Sequence, residues 1–584
     1  MLACKSLLFS LFACFLICNS LHGQTDSISE GDFVIPISSK VKLLKADGAS
    51  LPANRIRLVP WKVSRISEQD VFFYQNQDES ACPLDDVLPL DQALPYLERL
   101  INTEPENAWA YQTRATLNLW RDELPAALTD VDQAIKIAGE SSPLLTLRAR
   151  IHSRSDAPEK SLVDIKRAIE VNPRSAEPYI VRVLTTLNNA DADSLMSDLN
   201  QAIKLDPNHE LAYYYRAVQF KSAGKISEAL QDYSRSIELN PFDSDPYINR
   251  GNIYFEQREY REAIADYSLA IRVNPEGTLG YSNRGAALIE MRSYQLALLD
   301  LNQAIETDPE YVTSYRLRSR VYEQLDRYPE AVEDLDIFLD AAPTYDWGVF
   351  RRSRLLAEMG DFDGALEDID RAIELDPAYP DYLLEKGNIL ARSGQARDAI
   401  DYYSKAIDID PENFRYYLER GRTSSQLRRY DDALNDLNRA ERLEKDNLPI
   451  VYIRATVYTS LGNYDRALND ARKSVELAGE NPFVLRQYCW LLSTHPDPAK
   501  RQPAKALELM TGIMEAGELT DWQSYETLAA THAANQQFDQ AAAKQKKAIE
   551  LFGDDTDEEM QERLKLYESG KPFVYSGTAW FNDN

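Results

Sequence analysis

The sequence predicts an all-α fold, a superhelical solenoid of about 13 helical hairpins preceded by a small β-rich segment. Three observations predict it: turn prolines recur at a fixed interval of 34 residues, small residues recur at one place within each interval, and alanines recur at another. A fixed period of this kind indicates stacked repeats and overrides the division into separate domains that 584 residues would otherwise suggest. The prolines that set the period are Pro173, Pro207, Pro241, Pro275, Pro309, Pro343, Pro377 and Pro411.

Residues 1–23 are predicted to be an export signal. Lys5 precedes an apolar run over residues 7–18 that is too short to span a bilayer comfortably, and cleavage is expected after Gly23. The expected location is therefore extracytoplasmic, which includes the periplasm, the cell envelope and the secreted fraction. Two alternatives stay open: a retained membrane anchor, and lipidation at Cys14. Contact with a membrane is expected only through this leader or such a lipid.

Composition narrows the classes of function. Lys and Arg total 65 against 94 Asp and Glu, and the resulting formal charge of −29 disfavours nucleic acid as a partner. With the leader removed, Cys82 and Cys489 are the remaining cysteines, so unpaired thiols are expected. The sequence has no glycine-rich phosphate loop, no nucleophile elbow and no His/Cys pair at zinc-ligand spacing. We therefore expect a protein that is not an enzyme and needs no cofactor or metal.

Residues 31–90 do not follow the 34-residue period. Four runs in this segment are rich in β-branched and aromatic residues and are separated by Gly, Pro and Asn, at residues 33–37, 41–45, 56–63 and 71–74. Two interpretations stay open: a small β-barrel-like cap similar to bacterial SH3-like modules, and an extended arm along the first repeats. An enzymatic activity carried by this segment is the least favoured function.

Residues 91–481 are predicted to hold a half repeat and eleven in-frame repeats. We number each repeat so that its turn residue is position 32, which makes Ala108 position 1 of the first. Position 8 is small in ten repeats and position 20 is alanine in nine, so two helices can approach closely at these places. At about 100° per residue, positions 4, 8 and 11 share one face of a first helix, and positions 20, 24 and 27 share one face of a second. Each repeat is therefore predicted to be an antiparallel helical hairpin.

The end of the chain departs from the regular repeat. Residues 482–555 are predicted to hold a degenerate repeat followed by one final repeat. Residues 556–584 are predicted to form a capping helix and a tail, since the last hairpin of a solenoid needs a polar cover.

A regular charge pattern accompanies the repeats. Position 7 is Arg in ten of eleven repeats and position 23 is Asp in ten, and both exceptions fall in the repeat that carries Lys386 and Tyr402. We interpret this coincidence as a repeated structural ion pair between the two helices of a hairpin, and not as a functional site. The pairs singled out are Arg250 with Asp266, Arg284 with Asp300, and Arg318 with Asp334.

The repeat resembles the tetratricopeptide repeat family. One repeat fills all seven signature places of that family, with Tyr247, Gly251, Tyr254, Ala263, Tyr267, Ala270 and Pro275. The resemblance covers about four-fifths of the chain and is specific for fold but not for function. It implies binding of protein or peptide partners.

In this family, ligands contact mostly positions 2, 5, 6, 9, 12 and 13 of the first helices, which line a concave groove. Asn252 and Asn283 match the family's clamp for a C-terminal carboxylate, but its basic places hold Ile248, Thr313 and Leu317. Four arginines are instead predicted to face the groove, Arg316, Arg320, Arg351 and Arg354. Because guanidinium groups bind carboxylates, they predict a preference for acidic or C-terminal-carboxylate segments. The alternative is that these arginines form salt bridges with neighbouring surface residues.

Taken together, these features predict an extracytoplasmic scaffold for protein or peptide partners, with the oligomeric state left open. The alternative is a lipid-anchored envelope assembly or secretion factor attached through Cys14.

Overall fold

The computed structural model describes residues 90–553 and 558–575 and six short strands between residues 33 and 89. The predicted leader, including Cys14, lies outside the described residues. The chain divides into two compact units at Leu325 and Asp326. Within each unit the described helices form successive antiparallel hairpins, so the predicted all-α architecture is confirmed.

The N-terminal strands of the first unit form one antiparallel sheet in the order β2-β5-β4-β3-β1-β6. Their bounds are β1 Phe33–Pro36, β2 Leu44–Lys45, β3 Trp61–Ile66, β4 Asp70–Gln75, β5 Asp78–Pro83 and β6 Val87–Pro89. Strands β4 and β5 are paired along their whole length, from Asp70 opposite Pro83 to Gln75 opposite Asp78. The similarity of this segment to SH3-like modules stays a prediction.

The first helix of the same unit follows β6 directly and contacts β1 and β6. The helices of this unit are α1 Leu90–Thr103, α2 Ala108–Trp120, α3 Leu124–Ala138, α4 Ser142–Arg154, α5 Pro158–Val171, α6 Glu177–Thr186, α7 Ala192–Leu205, α8 Glu210–Ser222, α9 Ile226–Leu239, α10 Asp245–Glu256, α11 Tyr260–Val273, α12 Thr278–Glu290, α13 Tyr294–Thr307 and α14 Thr313–Gln324.

The second unit continues the pattern with α15 Tyr328–Ala341, α16 Asp346–Glu358, α17 Phe362–Leu375, α18 Pro380–Arg392, α19 Ala396–Ile409, α20 Phe414–Gln426, α21 Tyr430–Leu443, α22 Leu448–Ser460, α23 Tyr464–Ala478, α24 Pro482–Thr494, α25 Pro503–Glu515, α26 Trp522–Ala534, α27 Phe538–Phe552 and α28 Glu558–Glu568. A single 3-10 turn, Pro498–Lys500, lies in the longer connection between α24 and α25.

The turn between repeats is built by the residue before the proline. At position 31 an Asp or Asn side chain accepts a hydrogen bond from the backbone N–H two residues later, as Asn172 does from Arg174 at 3.1 Å. This local bond gives the backbone an alternative to another helical turn, and the proline that follows cannot continue the helix. The same bond occurs at Asp206, Asn240, Asp308, Asp376 and Asp410.

The turn inside nearly all hairpins contains a residue in the left-handed conformation. Position 15 has a positive φ in ten of the eleven repeats, where it ends the first helix in the manner of a C-terminal cap. Glycine takes this conformation without strain at Gly224, Gly360, Gly394 and Gly462, but other repeats place Asp or Arg there. The repeated sequence therefore determines both ends of the first helix locally.

Close helix contacts occur at the small positions. A Cβ atom on Gly387 at position 8 would lie 2.4 Å from Cε1 of Tyr403 at position 24, and one on Gly251 would lie 2.8 Å from the same atom of Tyr267. The position 20 alanines, such as Ala365, are completely buried. Glycine and alanine are thus required here by the space between the two helices.

Two further observations concern the described residues. Cys489 is a free, buried thiol. Among the helices described, none combines the length and the apolar character that crossing a bilayer requires.

Candidate functional site

In the repeats that lie entirely within one unit, the arginine at position 7 contacts the aspartate at position 23 wherever both are present. Arg250 Nε lies 2.8 Å from Asp266 Oδ2 and Arg250 Nη2 lies 2.7 Å from Oδ1, which is a bidentate contact. Arg284 and Asp300 meet in the same way, at 2.7 Å for both bonds. Equivalent pairs join Arg114 to Asp130, Arg148 to Asp164, Arg216 to Asp232, Arg352 to Asp368, Arg420 to Asp436 and Arg454 to Asp470.

The same arginines also reach the preceding repeat. The third nitrogen of Arg250, Nη1, donates to Ser234 Oγ at 2.9 Å, and that of Arg284 donates to Ser268 at 3.0 Å. Arg148, Arg216, Arg352, Arg420 and Arg454 make the equivalent contact, so each of these seven arginines joins two helices of its own hairpin and one helix of the hairpin before it. This contact between repeats was not predicted from the sequence, although polar residues at position 25 were available as its signal.

The exceptional repeat replaces this arrangement with another cation. Lys386 contacts Asp370 of the preceding repeat and lies 4.4 Å from the ring centroid of Tyr402, which stands in place of the aspartate. A cation above an aromatic face keeps part of the electrostatic attraction. Arg318 and Asp334 lie on opposite sides of the division between units, and their pairing stays a prediction.

The two asparagines that match the carboxylate clamp lie together in the first unit. Asn283 Nδ2 donates to Asn252 Oδ1 at 3.1 Å, and the hydroxyl of Tyr267 donates to the same oxygen at 2.8 Å. Asn252 is therefore oriented by its own repeat, with its oxygen already satisfied by two donors. Tyr403 and Asn388 repeat the hydroxyl bond at 3.1 Å, which shows a structural role for Asn at position 9 wherever Tyr at position 24 can reach it.

The predicted groove arginines fall into two pairs, and each pair belongs to a different unit. In the first unit, Arg316 and Arg320 lie on α14, and Arg320 Nη2 forms an ion pair with Glu290 Oε1 at 3.0 Å. This ion pair is the contact that the alternative interpretation of these arginines anticipates. Binding of a ligand by either residue is untested and stays a prediction.

In the second unit, Arg351 and Arg354 lie on α16 beside a group of aromatic side chains. Arg354 is exposed and lies 5.9 Å from the ring centroid of Phe350. Phe350 is 5.0 Å from Trp347 and 5.0 Å from Tyr382, measured between ring centroids. Trp347 is 41% exposed and Phe350 is buried, so the group has a fixed base and an accessible edge.

First helices of successive repeats stand side by side at this place. The hydroxyl of Tyr382 on α18 donates to Asp346 Oδ2 on α16 at 2.6 Å, and Tyr416 on α20 donates to Asp381 on α18 at 3.1 Å. Tyr379, in the turn before α18, packs 4.7 Å from Tyr382 and is 38% exposed. We call Trp347, Phe350, Arg354, Tyr379 and Tyr382 the aromatic–arginine surface.

A second feature of the second unit was not anticipated from the sequence. After α28 the chain turns at Gly570, which has a φ of 70°, and residues 571–575 run along the first helices of the last repeats. The backbone N–H of Tyr575 donates to the carbonyl of Thr494 at 3.0 Å, and Trp490 Nε1 donates to the Tyr575 hydroxyl at 2.9 Å. The sequence signal for this contact was the aromatic character of residues 569–584, in which Phe573 and Tyr575 follow the acidic helix α28.

Family matches cover the repeats that carry Asn252, Asn283 and the aromatic–arginine surface. Tetratricopeptide repeat families match residues 282–346, 350–414 and 418–482 and also residues 244–276, and a TPR repeat family matches residues 218–258. The chain contains tetratricopeptide repeats. Repeats of this family support a role as a protein–protein interaction scaffold.

Several solved structures resemble parts of this chain. YrrB, described as a TPR protein with an unusual peptide-binding site, is 24% identical and covers 32% of this chain and 95% of its own, with a TM-score of 0.30. A TPR protein from Parabacteroides merdae is 16% identical and covers 42% of this chain and 97% of its own, with a TM-score of 0.36. PilF of Pseudomonas aeruginosa is 18% identical and covers 36% and 97%, with a TM-score of 0.32.

At these TM-scores the similarities say nothing about the function of this TPR protein. No curated protein matches the chain at a significant level.

Proposed function

We propose that the chain is an extracytoplasmic TPR scaffold that binds protein or peptide partners through the groove positions of its first helices. The repeat itself supports this proposal. Packing positions hold the same residue types from repeat to repeat, whereas groove position 9 holds Val218, Asn252 and Ala286 in three consecutive repeats, and each of these is partly exposed. A face that varies locally on a regular scaffold can contact different parts of one partner.

The observation that carries the proposal is the aromatic–arginine surface of the second unit. Trp347 and Tyr379 are large, apolar and partly exposed, and Arg354 stands exposed beside them. Trp, Tyr and Arg are the residue types that contribute most binding energy in protein interfaces, since they bury a large area and also form polar contacts. Their base, Phe350 and Tyr382, is buried and held by the Asp346 hydrogen bond, so the surface is formed before a partner arrives.

The chemistry of this surface favours an acidic or carboxylate-bearing segment as the partner. Arg351 and Arg354 bring two guanidinium groups to a chain whose formal charge is −29. Among the acidic residues nearby, Glu358 on the same helix pairs with Arg392 at 2.8 Å, and Glu385 on α18 has a pKa that burial raises and that Arg354 lowers. A carboxylate can form parallel hydrogen bonds with a guanidinium group while apolar side chains of the same segment cover Trp347.

The test is the affinity of a set of acidic peptides, with and without a free C-terminal carboxylate, for the wild type and for Arg351→Gln/Arg354→Gln. We expect the double variant to bind at least about tenfold more weakly, because one charge-assisted hydrogen bond contributes roughly 1.5 to 3 kcal/mol. The variant Arg316→Gln/Arg320→Gln tests the first unit separately. We expect a smaller effect there because Glu290 already occupies Arg320.

The matched control is Arg397→Gln/Arg429→Gln, which removes the same charge from exposed residues at the start of second helices. It should leave affinity within a factor of two or so, apart from the long-range effect that salt screens. Equal losses in both double variants, or binding that salt does not weaken, would remove the acidic-segment proposal. If Trp347→Ala abolishes binding and the arginine variants have no effect, the aromatic–arginine surface is still the binding site, but its partner segment is apolar and not acidic.

The location is tested by the intact mass of the chain recovered from an expressing bacterium. Cleavage after Gly23 is the result expected for an exported scaffold, and recovery in the extracytoplasmic fraction should accompany it. A chain that begins at Cys14 with an added lipid mass would favour the alternative, a lipid-anchored assembly or secretion factor. A chain of full length in the cytoplasm would contradict both.

A further inference from the structure

The groove of the last three repeats is already filled by a segment of the same chain. Counted from Pro482 as position 1, Trp490 and Thr494 stand at groove positions 9 and 13 of the degenerate repeat, and both contact Tyr575. Tyr575 stacks on Tyr464 of the preceding repeat, with 4.4 Å between ring centroids and 21° between ring planes. The segment of residues 571–575, which we call the tail, therefore lies where a peptide ligand of a first-helix groove would lie.

The side chains of the tail fill two neighbouring places. Phe573 is buried and lies 6.0 Å from Trp490 and 5.2 Å from the guanidinium carbon of Arg563, measured to ring centroids. Arg563 in turn is an ion-pair partner of Glu526, at groove position 5 of the final repeat, at 3.1 Å. Phe573 and Tyr575 point to the same group of residues because alternate side chains of an extended segment share a side.

The contacts of the tail are of the kind that another chain can supply. One backbone hydrogen bond, one side-chain hydrogen bond and two aromatic rings hold it against the groove. None of them depends on the tail belonging to the same molecule. The turn at Gly570 separates the tail from α28. Tyr567 of α28 shares a buried cluster with Phe573, but the same cluster contains Ala529, Ala533 and Ala541, so the helix has contacts of its own besides those with the tail.

Space remains beside the tail. A cavity of about 110 Å³ lies between Thr459, Ser460, Glu559, Glu562, Phe573 and Tyr575. Its polar wall comes from groove positions 12 and 13 of the repeat that begins at Leu448, together with acidic residues of α28. A ligand slightly larger than the tail, or one with a hydrogen-bond donor next to the second ring, fits this place.

We propose that the groove of the last three repeats is a second binding site. Its ligand is an extended segment of a partner protein that carries two aromatic residues separated by one residue. In the absence of the partner, the tail occupies this site. The proposal takes from the proposed function only that first-helix grooves bind peptides. It concerns different repeats and a ligand without acidic residues. A partner segment must displace the tail, so only a segment that binds tightly enough to compete with the covalently attached tail can occupy the site.

The test uses the full chain and a fluorescent peptide with the sequence of residues 569–577, which contains Phe573 and Tyr575 and no acidic residue. The full-length variant Phe573→Ser/Tyr575→Ser empties the groove. We expect it to bind the peptide at least about tenfold more tightly than the wild type, because a tethered competitor acts at an effective concentration in the millimolar range. The same peptide with Ser at both aromatic places should not bind.

Two further variants make the result specific. Phe552→Ser removes a partly exposed aromatic residue of the final repeat that packs on Trp522 and not on the tail, so it should bind like the wild type. Trp490→Phe, added to the double variant, removes the hydrogen bond to the peptide's Tyr hydroxyl and should weaken binding severalfold.

The outcomes separate the possibilities. If the wild type and the double variant bind the peptide with equal affinity, the tail does not block the groove. If a folded double variant does not bind the peptide at all, the groove is not a binding site for it. If the double variant loses the native packing of its last repeats, seen as alkylation of the buried Cys489, the tail is a structural cap and the proposal fails. Loss of acidic-peptide binding at the aromatic–arginine surface would leave this result untouched.

Discussion

Arg250 holds Asp266 through two parallel hydrogen bonds and holds Ser234 of the preceding repeat through a third. The aspartate side chain is only 5% exposed and the arginine side chain is 18% exposed, so the pair lies at the edge of the core. The hydrogen bond to Asp266 raises the pKa of the Arg250 guanidinium, although burial acts in the opposite direction. Repetition of this contact joins hairpins within each unit.

We predict that Arg250→Ala destabilises the repeats around it by about 1 to 4 kcal/mol. Asp266 would stay buried without its partner, which is more severe than losing an exposed pair and less severe than breaking a fully buried one. A double-mutant cycle with Asp266→Ala, followed by chemical denaturation and by hydrogen exchange of α10 and α11, measures the coupling.

The control for this prediction is the exposed pair Arg429 and Asp432, which are 2.7 Å apart and more than half exposed. Its removal should have an effect of less than about 1 kcal/mol. A coupling energy for Arg250 and Asp266 that is no larger than that of the exposed pair would contradict the structural role.

Gly387→Ala is predicted to lower stability by about 1 to 3 kcal/mol, because the added Cβ would lie 2.4 Å from the buried ring of Tyr403. Gly512→Ala is its matched control. Gly512 is exposed within α25, and a Cβ there meets nothing within 4 Å, so better helix propensity should stabilise the protein by up to about 1 kcal/mol. Denaturation midpoints of the two variants should move in opposite directions, and movement in the same direction would argue against the close helix contact.

Arg292→Gly is predicted to stabilise its hairpin by about 1 kcal/mol. Arg292 is exposed and has a φ of 57°, a conformation that strains residues with a Cβ atom but not glycine. The reciprocal change Gly360→Ala, at a φ of 84° in the equivalent turn, should destabilise by a similar amount although nothing crowds its Cβ. Thermal unfolding of both variants provides the comparison, and a stable Gly360→Ala would show that the turn can adopt another conformation.

Cys489 is predicted to resist alkylation in the native protein. Burial raises the pKa of its thiol to about 12, and the thiolate is the form that reacts. Since a raised pKa disfavours the charged form, a change from pH 7 to pH 9 should have little effect on native labelling. Peptide mapping after iodoacetamide treatment distinguishes Cys489 from Cys82, and complete labelling in denaturant is the control. Labelling of the native protein at the rate of a free peptide thiol would disprove the buried state.

Much of the repeat could be predicted because its determinants are local or recur at a fixed spacing. The Asp or Asn before each turn proline bonds to the backbone two residues later, and the small residue at position 8 faces position 24 of the same hairpin. Such contacts span fewer than 34 residues and recur in most repeats, so comparison among repeats of one sequence reveals them. The coincident exceptions at Lys386 and Tyr402 are an example.

Contacts that occur once in the chain could not be predicted in this way. Asn252 resembles a ligand-binding residue in the sequence, but only the position of the Tyr267 hydroxyl shows that its own repeat satisfies its oxygen. Trp490 and Tyr575 are separated by 85 residues and meet because the turn at Gly570 directs the tail back along the first helices. Periodicity and residue propensity describe neighbours within one hairpin, so the sequence determined the repeat and its packing. Which groove residues are exposed to a partner, and which are already covered, was decided only by the folded arrangement of several hairpins.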